Sequence, residues 1–154
     1  MKKITAIFLA FALILALSGC TGKETKNYDA DVVADALNSG LVFSEYLEKS
    51  TADAAYSIYG IDSALCTNAA IYIGSGATAD EIAVFSCIDN ESAESVMQAV
   101  NSRVDYLKDG YSDYGPDQVP KINSAVISKL ADNTVIMCIC ENPEEVNNII
   151  NSVD

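Results

Sequence analysis

The sequence predicts a two-layer α+β domain: a four-stranded, mainly antiparallel sheet with its helices on one face, preceded by two short helices. Three observations predict it. Four short runs rich in apolar and β-branched residues come as two pairs, each closed by turn residues. Each pair is followed by a segment whose apolar residues recur at the spacing of a helix with one buried face. The two halves also echo each other. Asp89-Asn90 stands after the second run as Glu141-Asn142 stands after the fourth, and Val96–Ser102 reads like Val146–Ser152, the pattern of a duplicated β-β-α unit.

Residues 29–40 read as a helix, with Val32, Val33, Ala36 and Leu37 on one face, acidic residues at its start and Gly40 as its stop. Residues 50–60 read as a second short helix, opened by Ser50 with Asp53 and closed by Gly60. Residues 69–74 and 81–88 are the first strand pair. The loop between them contains Gly74-Ser75-Gly76-Ala77-Thr78, a composition able to cradle an anion with backbone amides. It joins two strands, opens no helix and is flanked by Asp80 and Glu81, so it reads as a plain hairpin loop.

The longest helix runs from about Glu91 to Lys108, with Ala93, Val96, Met97, Val100, Val104 and Leu107 on its apolar face. Residues 109–120 carry Gly110, Gly115, Pro116 and Pro120 and read as an irregular loop. Residues 123–130 and 134–140 are the second strand pair. Asn142-Pro143-Glu144-Glu145 is a helix start, with Asn as the cap, and Val146, Ile149, Ile150 and Val153 form the last buried stripe.

Upstream of the domain, Lys2 and Lys3 precede an uncharged run from Ile4 to Leu17. That run is shorter than the roughly 20 residues a membrane span needs, and residues 1–19 therefore read as a secretory signal peptide. Leu17, Ser18, Gly19 and Cys20 resemble the lipobox of bacterial lipoproteins. The resemblance implies signal recognition through Leu17, Ser18 and Gly19, and a diacylglyceryl group on Cys20, which becomes the first residue after cleavage. Two acyl chains give a stable hold on a bilayer. The expected partner is thus the membrane itself, and the expected location is the outer, extracytoplasmic face of the cell membrane. Residues 20–28 read as the lipidated Cys and a polar tether, and residues 29–154 as a single globular domain.

Without Lys2 and Lys3, seven of the nine basic residues remain against 22 acidic ones, a net charge of −15. That excludes nucleic acid as a partner, because phosphates demand a basic footprint. The absence of histidine excludes Ser-His-Asp and Cys-His catalysis and every histidine-containing zinc site. No motif asks for a cofactor or a metal, and neither is expected. Asp105, Asp109, Asp113 and Asp117 recur every four residues, read as a solvated acidic face.

Cys66, Cys87, Cys138 and Cys140 read as small buried hydrophobes within strands. Cys138 and Cys140 lie roughly 6.5–7 Å apart along one strand, too far for an ordinary disulfide. A bridge, where one forms, is expected to join Cys87 to Cys138 or Cys140 across the sheet.

Tyr56 and Tyr59 on the second helix, and Tyr106, Tyr111 and Tyr114 around the long loop, form the candidate binding surface. Tyr joins an apolar body to a polar tip, which suits recognition; rings that merely cover the sheet edge are the competing reading. Tyr59-Gly60-Ile61-Asp62, the run Ala79–Phe85, and Tyr114-Gly115-Pro116 resemble the small lipoproteins of Gram-positive anaerobes that carry domain of unknown function 4358, over roughly residues 29–150. The resemblance implies a lipoprotein and one domain, and no activity or site residue. The reading is a membrane-anchored binding or interaction module with no catalytic residue, its ligand an envelope protein or a small solute. The alternative is a carboxylate enzyme pairing Glu81 with Asp113 or Asp117.

Overall fold

The computed structural model describes residues 26–153, so the leader, Leu17–Cys20 and the start of the tether lie outside the described residues. Helix α1 (Ala30–Gly40) opens at Asp29, whose carboxylate accepts from the amides of Asp31 and Val32 at 2.9 and 3.1 Å. Its buried face is Ala30, Val33, Ala34 and Leu37; Val32, expected inside, is 51% exposed. A three-residue strand, β1 (Glu48–Ser50), leads into α2 (Ala52–Tyr59), capped by Thr51 and stopped by Gly60 at φ 64°. That left-handed turn is one a glycine adopts without steric cost.

A 3-10 turn (Ser63–Leu65) precedes the hairpin of β2 (Cys66–Ile73) and β3 (Glu81–Cys87). Helix α3 (Asn90–Tyr114) starts on an Asp89 cap and runs 25 residues, well past Lys108. The expected loop over 109–120 is therefore the last turn of α3, a 3-10 turn (Pro116–Gln118) and the short α4 (Val119–Asn123). Gly110 in a helix interior costs about 1 kcal/mol against alanine. Burial of Tyr111, whose hydroxyl also donates to the carbonyl oxygen of Gly76 at 3.0 Å, offsets that cost. Strands β4 (Val126–Lys129) and β5 (Thr134–Ile139) make the second hairpin, followed by a 3-10 turn (Pro143–Glu145) and α5 (Val146–Ser152).

The sheet has five strands in the order β1-β2-β3-β5-β4, every pair antiparallel. The extra strand is β1, an edge too short to show an alternating pattern. β5 is buried throughout and β3 nearly so, because helices cover both faces. On one face, Ala83, Phe85 and Cys87 of β3 pack with α2, α3 and α4. On the other, Ile82 and Val84 pack with α1 and α5. The expected single helical layer is thus corrected to two, and the domain has three layers.

The correction bears on the internal echo. The alignment that equates Asp89 with Glu141 also equates Val84 with Ile136, and these two residues lie directly opposite each other in the β3–β5 pair. The strands therefore obey a twofold axis normal to the sheet, passing beside that pair. Such an axis would place α3 and α5 on one face. Instead α5 is held across the sheet from α3, against α1. The Glu141 amide donates to the Val42 carbonyl oxygen at 2.9 Å, the Asn142 side-chain oxygen accepts from the Val42 amide at 2.8 Å, and Ile149 fills the space beside Gly40. Asn142, expected as a helix cap, is committed to that fastening.

The same two faces rule out the expected cysteine bridge. Cys87 points to the α3 face, whereas Cys138 and Cys140 point to the α1 face.

Candidate functional site

At the β2–β3 loop end of the sheet, residues from three elements enclose a cleft of about 270 Å³. Its floor is an ion pair. Glu81, the first residue of β3, is buried, and Arg103 reaches down from α3 to meet it, Nη2 to Oε2 at 2.7 Å and Nε to Oε1 at 3.2 Å. Tyr59, from the last turn of α2, donates its hydroxyl to Oε1 at 2.6 Å. The guanidinium lies between two rings, 5.9 Å from the centroid of Tyr59 and 5.6 Å from that of Tyr106. Burial pushes the Tyr59 phenol well above its usual range, and the Glu81 carboxylate beside it adds to the shift. For Arg103, burial works against the charge, but hydrogen bonding to Glu81 and the attraction of its negative charge together outweigh it, so its pKa is raised.

The walls come from α3 and the loop. Tyr111 is buried, donates to the Gly76 and Thr78 carbonyl oxygens, and stacks at 4.8 Å on Tyr114. Tyr106 and Tyr114 stand at the mouth, 69% and 68% exposed. Helix periodicity explains the division: Tyr111 lies four residues on from the buried Leu107, on the inward stripe, while Tyr106 and Tyr114 flank that stripe. Of the five tyrosines singled out in the sequence, Tyr59, Tyr106, Tyr111 and Tyr114 therefore converge. Tyr56 does not; it packs against Phe85 at 6.5 Å in the core.

Glu81 does not meet Asp113 or Asp117. Asp113 is exposed on the last turn of α3, and Asp117 is exposed beside a different cleft with Pro120 and Pro143. Glu81 already accepts three hydrogen bonds, one from the Tyr59 hydroxyl and two from the Arg103 guanidinium, so both of its oxygens are engaged within the floor.

The hairpin loop is also an anion cradle, occupied from within. The carboxylate of Glu45 accepts from the Ser75 amide at 3.1 Å, the Ser75 hydroxyl at 2.7 Å, the Thr78 amide at 3.2 Å and the Thr78 hydroxyl at 2.9 Å. These donors, Ser75 foremost, hold its pKa at about 2. A side chain on Gly74 would fall 2.5 Å from Glu45 Oε1, so the close approach needs glycine there.

Beside the cradle, on the other face, Lys121 gathers three oxygens: Asp80 Oδ1 at 2.9 Å, Glu141 Oε1 at 2.6 Å and Ser44 Oγ at 2.6 Å. Without histidine, a Ser–Lys pair is one remaining route to an activated hydroxyl. It does not operate in Ser44 and Lys121. Burial lowers the lysine pKa, but hydrogen bonds to Glu141 and Asp80 outweigh it and the net shift is upward, while the Ser44 hydroxyl gives its own proton to Glu141. Among the described residues, no buried side-chain polar atom lacks a partner. This network pins the chain before β1 to the loop and to α4. It joins residues far apart in sequence, and no local motif marks it.

Residues 43–140 match the family described as domain of unknown function (DUF4358). The chain belongs to that family. The matched segment holds the whole sheet, α2 to α4 and every residue of the cleft; α1 and α5 lie outside it. The layer that covers the second face thus flanks the DUF4358 segment on both sides. No curated protein and no solved structure matches the chain. Among the described residues, no helix is long and apolar enough to cross a membrane.

Proposed function

We propose that this DUF4358 protein is a lipoprotein held on the outer face of the cell membrane by diacylglyceryl-Cys20, and that it works as a binding module through the tyrosine cleft. The observation that carries the reading is the pair of exposed rings, Tyr106 and Tyr114, at the mouth of a cleft whose floor is electrostatically closed. Exposed aromatic rings over a preformed concavity are the ordinary means of gripping an apolar or planar group. Arg103 is already neutralised by Glu81, and the chain is strongly acidic, so the ligand is a neutral or cationic group with an apolar face: a peptide segment of an envelope protein or a small solute.

The position of the chain entry supports the same reading. Tyr28 is fixed at the far end of the sheet, its amide bonded to Asp132 and its carbonyl oxygen accepting from Ser86. The length of β3, roughly 20 Å at about 3.4 Å per residue, separates that end from the cleft. An anchor at Cys20 would therefore join the domain at the end of the sheet opposite the cleft, which leaves the cleft mouth free for a ligand.

The test is native mass spectrometry of the full protein, extracted gently from its own membrane, for the wild type and a Y106A/Y114A variant. The expected result is a lipid-bearing N-terminal peptide at Cys20 in both, and a bound partner or solute in the wild type alone. An unmodified Cys20 would overturn the anchoring. A ligand retained by the double variant would overturn the cleft assignment.

A further inference from the structure

Cys66 and Cys87 are the first and last residues of the β2–β3 hairpin, and they face each other. Regular pairing does not put them there. Along the hairpin Ala69 opposes Phe85 and Asn68 opposes Ser86, so the next position opposite Cys87 would be Thr67. The register shifts between Cys66 and Asn68, and the extra residue brings Cys66 opposite Cys87 instead. A bulge of this kind turns one side chain onto a face that strict alternation would deny it. Both cysteines consequently lie against the same core, under α2 and α3.

The pairing type is the narrow one. The Ile88 amide donates to the Leu65 carbonyl oxygen at 3.0 Å, which brackets Cys66 and Cys87 as a non-hydrogen-bonded pair. In such pairs the Cα atoms lie roughly 4.5 Å apart and the side chains are at their closest, inside the range a disulfide spans. The two sulfurs also sense each other. The Cys87 thiol beside it lowers the Cys66 pKa, and Cys66 in turn, with burial, raises that of Cys87. Cys66 is half-buried and reachable from solvent, whereas Cys87 is buried behind it. Both are free thiols in this structure.

We propose that Cys66 and Cys87 are a built disulfide site, with Cys66 as the thiol that meets the oxidant and Cys87 as the thiol that resolves it. The oxidant is a disulfide-bearing species, small or protein. The Cys66 thiolate attacks one of its sulfurs, a Cys66 mixed disulfide forms, and the first thiolate leaves. Cys87 then loses its proton to solvent and attacks Cys66 Sγ; the Cys66–Cys87 bond forms and the second thiolate leaves. Two protein thiols are oxidised and one disulfide is reduced to two thiols. The product is a covalent staple across the hairpin, at the end of the sheet where the chain enters and opposite the tyrosine cleft. The site does not depend on what that cleft binds.

The test exposes the folded full-length chain to oxidised glutathione, quenches with N-ethylmaleimide and maps peptides after cleavage before aspartate. Cuts at Asp62, Asp80 and Asp89 place Cys66 and Cys87 in separate peptides. The expected result is one linked pair, Cys66 with Cys87, lost on reduction with dithiothreitol, with Cys138 and Cys140 not linked to either. In C87S, the expected product is a stable glutathione adduct on Cys66; in C66S, Cys87 remains an alkylatable thiol once the protein is denatured. Recovery of both cysteines as maleimide adducts from the treated wild type overturns the proposal, as does a link from either one to Cys138 or Cys140. A glutathione adduct persisting on Cys66 in the wild type overturns the resolving role of Cys87.

Discussion

Arg103 grips Glu81 at two points, Nη2 to Oε2 and Nε to Oε1, with the carboxylate side chain 5% exposed and the guanidinium side chain 18% exposed. A pair this far out of water gains less from Coulomb attraction than it would lose if one member were left alone. R103M strands the Glu81 carboxylate beside the Tyr59 ring. The expected loss is roughly 3–5 kcal/mol of unfolding free energy, read by urea denaturation at neutral pH. The double variant E81Q/R103M removes the stranded charge and should recover much of that loss. If R103M alone unfolds at the wild-type urea midpoint, the pair is not the floor of the cleft.

The tyrosines divide into two classes by what their hydroxyls touch. Tyr59→Phe removes a buried donor to Glu81 and Tyr111→Phe removes the donor to the loop carbonyls. Each should cost about 1–3 kcal/mol, the range for a buried group that loses its partner. Tyr106→Ala and Tyr114→Ala remove exposed rings and should stay within about 1 kcal/mol of wild type, the modest value of an exposed cation–π contact. Thermal unfolding of the four single variants checks the division. A large loss in Y106A would make that ring a structural cover and remove the main support for a recognition role.

Lys121 serves Asp80, whose side chain is fully buried, and Glu141, which is not. K121M leaves Asp80 with the Ser44 amide and a Thr78 hydroxyl whose single proton it shares with Glu45. We expect a loss of roughly 3–5 kcal/mol, and a substantial part of it back in D80N/K121M. The lysine pKa is raised in the folded protein, so its contribution is complete below the ordinary lysine value of 10.5 and fades as pH climbs through the folded value. An alkaline unfolding limb that is shallower in D80N/K121M than in wild type is the expected signature.

The chain announced some of this plainly. The hairpins over 66–87 and 126–139 were visible because strongly apolar, β-branched runs end at turn residues, and the long helix was visible from about Glu91 by its apolar stripe. Helix ends and faces were not. Gly110 looked like a stop, and only the docking of Tyr111 onto Gly76 and Thr78 carries the helix through it. Alternation along Thr134–Ile139 is uninformative when both faces are buried, so the side taken by α5 had no local signal. The tyrosine cluster was legible as composition: Tyr106, Tyr111 and Tyr114 line one cleft, and Tyr59 bonds to its floor. Their partner Arg103 stands on the inward stripe of α3, three residues after Val100 and four before Leu107, but nothing local in the sequence names Glu81 as the carboxylate it meets. Nor was Cys66 legible as the partner of Cys87, since regular register points to Thr67.

Glu45 offers the sharpest pH signature, because its four donors come from one loop and hold its pKa at about 2 against an ordinary 4.5. A carboxylate depressed on folding stabilises the protein above its unfolded value, and the stabilisation drains away as pH falls through the folded one. The Glu45 contribution should therefore be whole above pH 4.5 and lost by about pH 2. Asp31, Asp35, Asp89 and Glu141 are depressed too, so the acid limb of the wild type is shared. The informative quantity is the difference between wild type and E45Q, which should shrink steadily across that window. Carboxyl-carbon NMR titration reads the group directly and should find Glu45 still ionised where most surface glutamates are half protonated. G74A supplies the control, because its methyl group would come within 2.5 Å of Oε1 and push the side chain out of the cradle. Glu45 in G74A should titrate near the ordinary value, while the sheet, read by the amide spectrum of β3 and β5, stays as it is. An unchanged Glu45 titration in G74A would mean that the loop amides are not what hold the carboxylate ionised.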